Sequence, residues 1–255
     1  MPDIEGPTLK EYPTFPNAPI VEAILDIQVD LPEGVTLEQV DSFQQHVKER
    51  FPEREERSKG EALLKFSEQG PSLEAASSNL IGYLYRSKST GKIAQARLDG
   101  FTFNKLKPYE DWDAIRSESQ ELWDIYRGIV RPLRIKRIAL RYINRIELPL
   151  PFKDFKDYIL TIPEIAPVLP QALEHFLMRL VIPNPEIGAT AVINEVMEDQ
   201  TEQQRLPLIL DIDVFKITSY QEDSNAIWED FERLRSFKNE IFFNSITEKT
   251  KELFR

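Results

Sequence analysis

The chain contains no cysteine. That absence excludes disulfides, thiolate zinc sites and cysteine nucleophiles, and it suits a reducing compartment. Its nine glycines never lie closer than nine residues apart, so neither a GxGxxG turn nor a P-loop can be written anywhere. Only two histidines occur, His46 and His175, in separate expected elements and without HExxH or facial-triad spacing. No GxSxG elbow is present, so nucleophilic hydrolysis has no visible candidate. Nor does any window approach the roughly 18 consecutive apolar residues of a membrane helix. The start, MPDIEGPTLKEYP, has no basic segment leading into an apolar one, and a cytoplasmic location without membrane contact is expected.

What is present is a chain of 255 residues, 41% hydrophobic, able to bury one large core or two modest ones. Its 43 acidic residues against 32 basic give a formal charge of −11, which opposes non-specific binding to a phosphate backbone. Nucleic acid is therefore disfavoured as a partner, although a local basic surface is screened from distant charge.

The most informative segment is RPLRIKRIALRYINRIE at 131–147. Strand alternation puts Arg137, Arg141 and Arg145 on one face with Ala139 and Ile143. Three guanidiniums there need either carboxylates from neighbouring strands or an anionic ligand, and arginine's planar fork serves both. For Arg141 the expected carboxylates are Glu22 or Asp26 on the first strand, or Asp211 or Asp213 on a later one.

Period-2 alternation predicts a first strand over 21–29. Leu37, Val40, Phe43, Val47 and Phe51 predict a following helix, with Thr36 and Gln39 as a capping box and Pro52 as its stop. Strands are expected at 62–67, 80–86 and 92–106, the last bent at Gly100, and then a helix capped by Asp111. A second series repeats the order: a strand at 134–148, a helical or broken-helical region at 152–174, strands at 175–182, 189–198 and 207–217, and a helix over about 225–253. Leu31-Pro32 and Leu148-Pro149 end the corresponding first strands. The expected class is α+β, a duplicated β-α-β-β-β-α unit whose antiparallel sheet or sheets are covered by helices on one side. Residues 1–17 would be an N-terminal extension, 18–130 the first unit and 131–255 the second, packed as one globule.

Four blocks, PNAPIVEAI (16–24), GFTFNKLKPYEDW (100–112), LRYINRIELP (140–149) and RLRSFKNEIFFNSITEK (233–249), resemble in order those of the sporadically distributed bacterial family of uncharacterised proteins of about this length. The resemblance implies a bacterial, cytosolic origin. It carries over no activity and no catalytic residue.

Three further groups are candidates. Asp211 and Asp213 share a strand face, and Glu195 shares one with Ile193 and Met197 on the preceding strand, so these carboxylates could gather around a divalent cation. Lys88, Lys92, Arg97, Lys105 and Lys107 make 86–107 locally basic, and Tyr83 and Tyr85 share a face from which bases could be stacked. Phe242, Phe243 and Phe254 exceed what one sheet-facing stripe requires and are candidates for docking a partner protein or a second subunit. No cofactor is implied. The expected function is a non-enzymatic binding protein, an interaction or regulatory component. The alternative is a phosphate-ligand or nucleic-acid binder, or an enzyme, using the Arg137, Arg141 and Arg145 stripe.

Overall fold

The computed structural model describes residues 12–67, 70–171, 173–199, 204–221 and 225–255, with side chains described outside 60–78. Among them nine strands form one antiparallel sheet in the order β2-β3-β4-β5-β1-β6-β9-β8-β7. The strands are β1 (Ile20–Asp30), β2 (Glu53–Ser67), β3 (Gly70–Ser87), β4 (Lys92–Arg97), β5 (Gly100–Leu106), β6 (Arg134–Pro149), β7 (Leu177–Asn184), β8 (Ala189–Met197) and β9 (Arg205–Tyr220). Each half starts at the centre, crosses to an edge and steps back inward. β1 and β6 lie side by side, and the last strand of each half, β5 or β9, closes on the first.

Helices cover one face. Ala23, Leu25 and Ile27 of β1, Ile138, Leu140 and Tyr142 of β6, and Leu208, Leu210 and Ile212 of β9 are buried beneath them, as alternation requires. Over the first half lie α1 (Leu37–Asp41), α2 (Gln44–Val47) and α3 (Trp112–Val130). Phe43, Tyr85, Phe101, Trp123 and Tyr126 form their aromatic centre, with ring centroids 5.4–6.4 Å apart, and the Tyr126 hydroxyl donates to the Arg97 carbonyl at 2.7 Å. The Thr36–Gln39 capping box and the Asp111 cap both form. α4 (Ala226–Ser245) covers the second half, burying Ile227, Trp228, Phe231, Leu234 and Phe242.

Several boundaries differ from expectation: the helix expected from Leu37 to Phe51 is two short ones, α1 and α2, and the strand expected at 80–86 begins at Gly70. The 92–106 run is two strands: the chain reverses at Leu98 and Asp99, and only glycine suits position 100, where φ is +151 and a Cβ would lie 2.1 Å from the Ile27 carbonyl oxygen. The first helix is therefore followed by four strands, not three. β2 begins at Glu53, within the charged segment EREERSKGE, which has no apolar alternation to betray a strand. The last helix stops at Ser245, where Ile246 turns extended to bridge Ile159, and Thr247 caps a new turn, α5 (Glu248–Lys251). Within 152–174 only one short 3-10 turn, Phe155–Asp157, forms among the described residues, since Pro163, Pro167 and Pro170 deny the stretch a helix.

The sheet runs unbroken across the 130/131 boundary through β1 and β6. Of the expected extension, residues 1–11 lie outside the described residues. Asn17 ties the remainder to the other end of the chain, its backbone and side-chain nitrogens each donating at 3.0 Å to the Phe254 and Arg255 carbonyls.

Candidate functional site

Among the described residues the opposite face of the sheet carries no helix. Onto it β1 projects Glu22, Ile24, Asp26 and Gln28, and β6 projects the arginine stripe. Register sets Asp26 opposite Ala139, Gln28 opposite Arg137, and Arg141 opposite Asp213, so acids and bases lie within one or two residues of each other across three strands.

Every arginine of the stripe meets a carboxylate. Arg141 is held bidentately by Asp211, at 2.7 and 2.8 Å, and Asp211 also accepts from the Asn194 amide at 2.9 Å. Arg137 donates to Asp26 at 3.3 Å, approaches Asp213 at 3.5 Å and lies 4.6 Å over the Phe215 ring. Arg145 contacts Glu198 at 3.1 Å and also Glu147. The densest knot lies on the first half, where Asp26 accepts from Thr102 at 2.6 Å and from Arg97 at 3.0 Å, while Arg97 also reaches Thr102 and Asp99. A polar chain continues it: Gln95 donates to Asn104 at 3.1 Å, and Asn104 to Glu22 at 2.7 Å. Between these groups lies a shallow depression of about 620 Å³. Burial raises the pKa of Asp213, against the pull of Arg137 and Arg141.

This arrangement limits the chemistry. An anion reaching Arg141 would have to displace a carboxylate already making two charge-assisted bonds, so the stripe is occupied from within. The metal grouping does not assemble: Glu195 pairs with Leu210 on β9 and faces the helices, whereas Asp211 and Asp213 face away. Among the described residues no group of three or more His, Asp or Glu side chains is placed to hold a metal ion.

The other candidates are also consumed by the fold. Tyr83 and Tyr85 are buried on the helix side, Tyr85 bonding Asp41 at 3.1 Å and Tyr83 lying 4.1 Å beneath Arg54, so neither offers a face to a base. Lys88, Lys92, Arg97 and Lys105 each lie beside a glutamate or aspartate, whereas Lys107 is exposed. Phe242 and Phe254 are buried, and Phe243 is stacked by Tyr12 at 4.6 Å with Phe15 alongside at 5.8 Å. The surplus phenylalanines thus fasten the chain's own residues 12–17 to α4.

Two ionisable residues stand out that the pattern reading passed over or misplaced. Glu195 is buried with its Oε2 atom unbonded, and that burial pushes its carboxyl up to about 7. Lys238 is buried on α4, its ammonium 3.9 Å over the Tyr142 ring, and burial foremost, with Arg235 nearby, pulls it down to about 7. A signal for Lys238 existed: Leu234, Lys238 and Phe242 are spaced by four, which sets a lysine inside the apolar stripe.

Comparison with known proteins finds no matching family model, no similar curated protein and no similar solved structure.

Proposed function

We propose that the protein is a non-enzymatic binding protein that docks a partner protein at the β7 end of its sheet, the partner adding an extended segment to that edge. The two edges are built differently. β2 enters as EREERSKGE, dense in charge, which guards an edge against pairing. β7, LMRLVIPN, has one charged residue, Arg179, and leaves Leu177 72% and Val181 60% exposed. An apolar edge strand is the usual template for strand addition, with main-chain bonds giving affinity and alternate side chains giving specificity. Pro183 withdraws one N–H, confining the pairing to Leu177–Ile182. The carboxylate pairing of Arg137, Arg141 and Arg145 removes the main support for the phosphate or nucleic-acid alternative.

The test is selection from a displayed library of random peptides on the wild-type chain and on Val181→Lys, with sedimentation of both. Peptides of alternating apolar residues that bind wild type and lose Val181→Lys support the reading. A library that yields none, peptides indifferent to the substitution, or a wild-type dimer dispersed by it would sink it, the last by making the partner a second copy.

The halves are read as copies of one unit. The mirrored strand order and the two Leu-Pro endings favour this reading. Superposition of 18–128 on 133–254 is then expected to match β1 with β6, β5 with β9, β4 with β8 and β3 with β7, leaving β2 over. The four sequence blocks make membership of the sporadically distributed bacterial family the accompanying proposal.

A further inference from the structure

A cleft of about 540 Å³ lies on the helix side, between residues 12–20, the 107–113 loop, the middle of β6 and the last turns of α4. Its walls include Tyr109, Trp112, Tyr142 and Phe242, and two cations from successive turns of α4 line it, Arg235 and Lys238. Lys238 is 9% exposed. Its ammonium bonds Asn239 Oδ1 at 2.5 Å and lies over the Tyr142 ring, and no carboxylate acts on it among the described residues.

The other deeply buried lysine shows what a purely structural one looks like. Lys105, 2% exposed, donates to the Thr90 carbonyl at 2.8 Å and lies 3.3 Å from Glu110. Lys238 has no such acid, and it lines open volume instead. Arg235 is only loosely held: its one contact with an acid among the described residues, to Glu232 Oε2, is long at 3.5 Å, while the other Glu232 oxygen accepts from the Trp112 indole at 2.7 Å. The guanidinium lies 5.7 Å from the centre of the Trp112 ring. At the floor the Tyr109 and Tyr142 hydroxyls are 3.1 Å apart, so one of them retains capacity to donate.

We propose that this cleft binds a small organic carboxylate with a flat apolar body, its anionic group on Lys238 and Arg235 and its body against Trp112, Tyr109 and Phe242. The volume falls within the roughly 300–1,000 Å³ of small-molecule sites, and an aromatic wall with a few convergent polar groups is their usual composition. A buried ammonium without a counter-charge is costly, and an incoming carboxylate supplies that charge. Arginine's fork and lysine's point charge together can engage both carboxylate oxygens.

Isothermal titration of the full chain tests this with benzoate, phenylacetate and indole-3-acetate as probes, and with benzamide and phenyl phosphate as comparisons. At least one of the three carboxylates is expected to bind wild type below about 1 mM, with affinity falling about tenfold or more in Lys238→Met and about threefold or more in Arg235→Met. Benzamide, the same body without the charge, should not bind. The partly exposed Arg235 provides the second variant should Lys238→Met not fold. Absence of binding by all three carboxylates at about 10 mM, affinity unchanged in the folded variants, or benzamide matching benzoate would overturn the proposal. Phenyl phosphate binding about tenfold tighter than every carboxylate would overturn the assignment of the anion.

Discussion

The two faces of the sheet treat charge in opposite ways. On the open face Arg97, Arg137, Arg141 and Arg145 each reach a carboxylate, the last three of them partly exposed. On the covered face Glu195 and Lys238 are buried and meet no opposite charge among the described residues. Paired, half-wet charges hold strands in register at modest gain, whereas an unpaired buried one is a standing cost that the rest of the core must offset. The conspicuous stripe is paired with acids of its own sheet, and the inconspicuous lysine lines a cleft without one.

The largest effect should come from the covered face itself. Phe231 is fully buried on the inner face of α4, its ring 5.5 Å from that of Trp228, so Phe231→Ala is expected to cost about 3–5 kcal/mol in equilibrium denaturation. A loss under about 1 kcal/mol would mean that this face is not the core that the comparison requires.

Next is the one open-face arginine that is itself buried. The Arg97 side chain is 9% exposed and is shared by Asp26, Asp99 and Thr102, so Arg97→Ala should cost about 3 kcal/mol by emptying a buried, fully bonded position and leaving Asp26 with Thr102 and the longer Arg137 contact. If that variant melts like wild type, the open-face network is decoration.

Glu195 offers a test through pH. Its carboxyl titrates near 7 in the folded protein against an ordinary value of 4.5, so the folded state holds more protons between those limits. Stability contributed by the neutral carboxyl is present below about pH 4.5 and is lost as pH rises through 7. Glu195→Gln keeps the neutral form at every pH and is expected to be about 2 kcal/mol more stable than wild type at pH 8, with the gap closing towards pH 4.5. Urea melts across this range decide it, and a pH-independent gap would show that ionisation is not the cause.

The smallest effects belong to the rest of the stripe. Arg141 is paired as its position suggested, but its side chain is 43% exposed, so Arg141→Ala should cost only about 1 kcal/mol, and Arg145→Ala no more than about 0.5. Losses of about 3 kcal/mol in either would erase the distinction between Arg97 and its neighbours.

Much of this fold was legible because its signals were local. Alternation located β1, β6 and the strands of the second half, and Thr36, Gln39 and Asp111 announced two helix starts by their own capping chemistry. What escaped depended on contacts distant in sequence. β2 opens with charges whose pairing with β3 no periodicity reports, and the meaning of Gly100 lies in the Ile27 carbonyl beside it. Glu195 was visible as sharing a face with Ile193 and Met197, yet which face the helices covered was not. The arginine stripe was legible as a stripe needing carboxylates. That Asp211 rather than Glu22 would take Arg141 required the β6–β9 register.

The central position of β1 has a consequence for how the protein is made. Both neighbours of β1 come later in the chain, β5 beginning at Gly100 and β6 at Arg134. A ribosome adding about 5–20 residues per second therefore leaves β1 with two unpaired edges for several seconds, with Leu25, Ile27 and Val29 uncovered beside them. The nascent chain must be shielded through that interval, because the strand that ends at the centre of the sheet starts as the one with nothing to pair with.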